Sequence, residues 1–265
     1  MVLTTGWEPD VPIDDTFLRR FVFALAEAWE PTVAALGGHV RRCAEFALAD
    51  LGRPAGLANA VTLLQPLPCE GTVLDAVLDA VEDAVAGGTG TVALLSAWPT
   101  PNLTARGWQL AGHPPLHLRP PAPLGPVPAP SGLRVAPVTD ATGVADFERV
   151  LVEGYPFPDV APGTLFDERV LAAASPHLEV GYLDDRAVTV GARHTAHGLL
   201  VLALGATLPS ARHRGCWAEM VCSRLAAAPE LPAAALFSDD SRPGAERLFG
   251  FVPITRFTLW LRHRR

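Results

Sequence analysis

The chain has 265 residues, 49% of them hydrophobic and 18% charged, with a formal net charge of −7. This is the composition of a globular protein with room for one large domain or two ordinary ones, and its acidic balance excludes a general nucleic-acid binder. All 21 basic side chains are Arg, which excludes Schiff-base and lysine-nucleophile chemistry and, with the many Ala and Pro, points to a GC-rich bacterial source.

In chain order, residues 16–36 read as a helix, 59–64 as a strand, 73–85 as a helix and 92–96 as a strand. A Pro-rich turn, a short helix, Gly107-Trp108 and a strand ending at Arg119 follow. Residues 120–131 hold six prolines in twelve positions, a semi-rigid spacer that joins neither helix nor sheet. Beyond it, 133–138 reads as a strand, and 144–152 and 166–174 as helices. Residues 178–183 and 187–194 read as a hairpin turning at Asp184-Asp185. Residues 199–206 form an apolar strand, 217–228 a helix, 233–237 a strand, 245–249 a short helix and 254–261 a last strand.

The two halves end alike. Strand, turn, short helix, Gly-aromatic and a strand ending in Leu-x-Leu-Arg occur at 92–119 and again at 234–262, with matched spacings. The chain is therefore read as an internal duplication. Domains are expected at 1–119 and 132–265, joined by the linker 120–131.

Between the strand 199–206 and the helix 217–228 runs Thr207-Leu208-Pro209-Ser210-Ala211-Arg212-His213-Arg214-Gly215-Cys216-Trp217. A strand, a basic turn and a helix N-terminus can hold a phosphate, because first-turn N–H groups lack helical partners and the dipole is positive there. The run resembles the Arg/Gln-x-x-Gly-x-Gly/Ala cofactor loop of the GCN5-related N-acetyltransferases, with Arg212 and Gly215 on the motif. The element order from residue 132 onward resembles that family as well.

The resemblance implies an α/β fold of the α+β type: two tandem acetyltransferase-like domains, each a mixed, mostly antiparallel sheet flanked by helices. It implies acetyl-CoA as co-substrate, bound by Gly205, Ala206, Thr207, Arg212, His213, Arg214, Gly215, Cys216, Trp217 and Asp239. It implies direct attack of an amine on the thioester, with backbone groups of Gly205 and Thr207 stabilising the oxyanion. Glu153 is the candidate base, and Tyr155, Phe157 and Asp159 the candidate walls of the amine pocket.

Two positions depart from the family pattern. Trp217 stands where the loop has Gly or Ala, and Glu246 stands near the place of the usual Tyr acid. The leading reading is an N-acetyltransferase acting on a small amine. The alternative is a non-catalytic acyl-CoA-binding, regulatory or interaction protein on the same fold. The first copy has no Arg in its corresponding loop and carries Glu70 there, so it is read as degenerate.

The four cysteines show no metal-ligand spacing and read as reduced thiols; Cys216, beside two Arg at a helix start, is expected to have a lowered pKa. No metal is expected. With no signal-peptide pattern before Asp10, Asp14 and Asp15 and no membrane span, a cytoplasmic monomer or homodimer is expected, with no nucleic-acid or membrane partner.

Overall fold

The computed structural model describes residues 16–67, 71–155, 157 and 159–264. It opens with helix α1 (Phe17–Ala35), capped by the Thr16 side chain, which accepts the N–H of Arg19. Strands β1 (His39–Arg42), β2 (Phe46–Asp50) and β3 (Ala60–Leu63) lead to helix α2 (Thr72–Val85) and strand β4 (Gly90–Ser96). Strands β5 (Gln109–Gly112) and β6 (Pro115–Arg119) close the first half.

The second half has strand β7 (Leu133–Pro137), helix α3 (Ala141–Gly154) and strands β8 (His177–Leu183), β9 (Arg186–Ala196) and β10 (Leu199–Thr207). Helix α4 (Cys216–Ala226), strand β11 (Ala233–Leu236), helix α5 (Arg242–Phe249) and strands β12 (Val252–Arg256) and β13 (Thr258–Arg264) complete it.

Two mixed sheets result, with orders β1-β2-β3-β4-β13-β5 and β12-β6-β11-β10-β9-β8-β7. The orders match position for position except for β7, which has no counterpart in the first sheet. Each sheet has one parallel pair joined through a helix, β3–β4 across α2 and β10–β11 across α4. The duplication read from the halves' endings is thus a duplication of topology.

The Pro-rich run divides the chain but not the sheets. Strand β6 precedes that run and inserts between β11 and β12, while β13 inserts between β4 and β5. Boundaries at 119 and 132 therefore cut through connections between packed units. The expected single strand 254–261 is two strands in different sheets, parted at Phe257, whose N–H donates to Pro114 O at 2.9 Å.

Two further differences concern local structure. Strands β1 and β2 lie where no element was expected. Residues 166–174 form only a 3₁₀ turn, Glu168–Ala172, in which Val170 alone is buried, too short an apolar face to support an α-helix. The structure of the first copy's loop at Cys69 and Glu70 lies outside the described residues.

Helix α1 packs on both sheets. Phe21 and Val22 share a core with Ala47 of the first sheet and with Leu199, Val201 and Ala234 of the second. Further along the helix, Trp29 and Val33 pack with Phe147 and Leu151 of α3. The halves therefore share a core and exchange strands, and a single unfolding transition is expected by calorimetry.

Candidate active site

The site is set by a break in β10. It pairs with β11 only at Leu200↔Ala233 and Val201↔Ala234, and beyond that the two strands part. On the other side a bulge between Ala203 and Ala206 takes Leu204 and Gly205 out of register with β9. Leu204 sits at φ 47°, a left-handed conformation that a non-glycine residue adopts only when its surroundings force it. The strand thus exposes backbone on the side from which β11 has moved away.

Pairing resumes at Ala206↔Val190 and Thr207↔Thr189. Ala206 is buried, its carbonyl accepts the Thr189 hydroxyl at 3.0 Å, and the two Thr hydroxyls lie 2.8 Å apart. The chain then reverses through the basic loop, with His213 at φ 59° and Gly215 at φ 86°. Gly215 is the N-cap of α4 and offers no side-chain acceptor, so no N-cap side chain takes up the first-turn N–H groups of Cys216, Trp217 and Ala218.

Arg212 does not reach outward as a free cation. Its Nε donates to Thr207 O at 3.2 Å and its Nη2 to Gly154 O at 2.9 Å, which ties the end of α3 to the loop. His213 and Arg214 are exposed and supply the loop's free basic groups. Cys216 is 1% exposed, and burial pushes its thiol pKa up, against the lowering expected from its two Arg neighbours. Desolvation of the thiolate outweighs the Arg214 charge. Iodoacetamide is accordingly expected to leave Cys216 unmodified in the native protein at pH 8; mass spectrometry showing rapid labelling there would contradict this.

Trp217 fills the space between α4 and α5. Its ring stacks edge-on against Phe237 and Phe249, with centroids 6.4 and 6.0 Å away. A Cβ on Gly244 of α5 would stand 2.9 Å from Cζ3 of the indole. On the other flank the Pro-rich run lies over the loop, and a Cβ on Gly215 would overlap the Pro128 carbonyl oxygen. Leu124 and Val127 of that run join the α4–α5 core, and Arg119 Nη2 pins it through Ala122 O at 2.7 Å.

The remaining expected site residues divide between two places. Gly154 touches β10, since a Cβ there would stand 3.2 Å from Thr207 C and O, so the end of α3 does reach the loop. Glu153 is half-exposed and lies 3.7 Å from Arg149. Burial raises the Tyr155 pKa, and its ring lies 5.1 Å from that of Phe157. Phe157 packs against Gly56 of the first half, and Asp159 accepts the Thr91 hydroxyl at 3.1 Å. Those two residues dock the loop onto the first half. Asp239 is almost fully exposed in the turn before α5, 3.9 Å from Arg242. His194 and His197 meet Ser175 and Glu27, away from the β10 bulge.

Two residues near the site were not anticipated. His117 reaches the second sheet on β6, is fully buried, stacks on Phe237 at 5.4 Å and has Nε2 3.2 Å from Glu246. Glu246 occupies α5 near the place where the family resemblance expects Tyr, and its partner comes from the first half. Arg224, on the buried face of α4, reaches the β10 bulge. A basic residue at a core-facing helical spacing from Trp217 and Val221 was the available signal.

No protein-family model matches the chain, and no curated protein matches it. Solved structures do. A GCN5-related N-acetyltransferase from Kribbella flavida is 19% identical, covers 89% of this chain and 95% of its own, and has a TM-score of 0.58. A protein of the GNAT family from Novosphingobium aromaticivorans is 16% identical over 89% of this chain and 98% of its own, with a TM-score of 0.55. A conserved protein of unknown function from Staphylococcus epidermidis is 12% identical over 85% of this chain and 93% of its own, with a TM-score of 0.59. A parted parallel strand pair, a bulge beside it and a glycine-capped helix after a basic loop accompany this likeness. The chain has the fold of the GCN5-related N-acetyltransferases, in two copies that exchange their last strands.

Proposed function

We propose that the second half binds acetyl-CoA and transfers its acetyl group to the amine of a small molecule. The observation that carries this reading is the first turn of α4, uncapped by any side chain, beside the parted end of β10. The loop amides, with His213 and Arg214, would hold the pyrophosphate. Backbone groups of Gly205 and Thr207 would stabilise the thioester oxyanion. The amine would approach from the end of α3, past Glu153 and Tyr155. Holding both reactants in one cleft lowers the entropic barrier to attack. A cytoplasmic monomer or homodimer acting on a diffusible amine fits this chemistry, and no helix among the described residues is long and apolar enough to cross a membrane.

A second reading is favoured by Trp217 and Pro128, which occupy space on both flanks of the loop. In that reading the fold is kept as a non-catalytic module. The thermal midpoint measured with and without millimolar acetyl-CoA tests binding. A ligand at about 100 times its Kd adds roughly 2.7 kcal/mol of stability. The Arg214→Ala variant, whose side chain makes no hydrogen bond or ion pair among the described residues, is expected to lose most of that shift. Absence of any shift in the wild type would sink the acyl-CoA reading. A shift without thiol release on an amine panel would favour the non-catalytic one.

A further inference from the structure

Helix α4 carries a cation that the fold does not neutralise. Arg224 is 2% exposed. Its Nε donates to Met220 O at 3.2 Å, and its Nη1 donates to Ala192 O at 3.3 Å and Ala203 O at 3.2 Å. The last two carbonyls belong to the residues paired just before the β10 bulge. The Nη2 group donates to nothing among the described residues, and no carboxylate there pairs with the guanidinium. Glu179, the charge it feels most, is engaged by Arg193 at 2.9 Å and by the Ser223 hydroxyl at 2.9 Å. Burial pulls the Arg224 pKa down to about 10, the direction expected of a buried cation.

Two glycines make room for this group. A Cβ on Gly191 would stand 2.8 Å from Nε and Cζ of Arg224. A Cβ on Gly205 would stand 3.6 Å from Nη2 and 3.9 Å from Nε1 of Trp217. The indole N–H has no acceptor among the described residues. A guanidinium edge and an indole N–H therefore converge on Gly205, where the acetyl-CoA reading puts the thioester. An acetyl methyl would leave both donors unpaired. A carboxylate would accept from both through charge-assisted hydrogen bonds.

We propose that Arg224 and Trp217 form a carboxylate subsite, and that the preferred donor is an acyl-CoA whose acyl chain ends in a carboxylate, of the malonyl or succinyl class, over acetyl-CoA. This rests on the acyl-CoA reading above and deepens it. In the transfer, the amine nitrogen bonds to the thioester carbon and the C–S bond breaks. Its electron pair leaves with the CoA thiolate, the amine proton passes to solvent, and the distal carboxylate stays ionised throughout.

Calorimetric titration of the full chain with CoA, acetyl-CoA and succinyl-CoA tests the subsite. Wild type is expected to bind succinyl-CoA about a hundredfold more tightly than acetyl-CoA, since a site built to pair a polar group discriminates strongly against a ligand lacking it. Arg224→Met removes the guanidinium but strips the bulge carbonyls of their donor and endangers folding. Trp217→Phe keeps the ring packing and removes only the indole donor. It is expected to cut the succinyl preference by about fivefold, the weight of one hydrogen bond, read as the ratio of the succinyl-CoA and acetyl-CoA affinities of the same variant. Equal wild-type affinities for the two acyl-CoAs, or an unchanged preference in Trp217→Phe, would overturn the subsite with CoA binding intact. Failure of CoA itself to bind would overturn the acyl-CoA reading and the subsite with it.

Discussion

Asp50→Ala is expected to destabilise the protein by about 3 to 5 kcal/mol, the usual cost of stranding a buried charge. Asp50 on β2 pairs with Arg264 at the end of β13, and both side chains are 5% exposed. Arg264 Nη2 lies 3.0 Å from Asp50 Oδ1, and the guanidinium also donates to Val85 O at 3.0 Å and Thr89 O at 3.1 Å. This cluster anchors the strand that the second half lends to the first. Without Asp50 the guanidinium stays among carbonyls with no counter-charge, or it leaves and frees the end of β13. The thermal midpoint should fall by roughly 10 °C on the usual scaling for a chain of this size, read by circular dichroism. A loss below about 1 kcal/mol would show that the pair only decorates the fold, as exposed ion pairs do.

Gly215→Ala is expected to cost about 2 to 5 kcal/mol, from left-handed strain plus steric overlap. Gly215 sits at φ 86°, and its Cα faces the Pro128 carbonyl, so a methyl group would strike backbone that Arg119 and the α4–α5 core hold in place. Gly250 gives an internal control. It sits at φ 72°, yet a Cβ there would meet nothing within 4 Å. Gly250→Ala should therefore cost only the strain, about 1 to 2 kcal/mol. The difference between the two urea-denaturation midpoints, converted to free energy, isolates the linker's contact with the loop. Equal losses would mean that the linker yields without cost.

Much of the second half was legible because its elements are long and regular. The turn at Asp184-Asp185, the apolar run of β10 and the glycine-capped start of α4 announce themselves through periodicity and turn chemistry. Strand β2 did not, because all five of its residues are buried and show no alternation. Strand β1 is short and mostly exposed, and its sequence, His-Val-Arg-Arg, has little strand signal. At the site, Arg212 was legible as a residue of the loop but not as the staple to Gly154 that it forms. Arg224 stood on an apolar helical face, and two of its three carbonyl partners lie 32 and 21 residues away.

Local sequence determined the elements, the repeat, the basic loop and the glycine positions, because propensity, capping and backbone freedom act over a few residues. Only the tertiary structure decided which sheet β6 and β13 join, what lies over the loop, and where the buried cation points. Those outcomes depend on pairing between distant segments. Strand edges in the two halves offer nearly equivalent partners, and the choice between them rests on packing against α1 and on the Asp50–Arg264 pair, neither of which any local window contains.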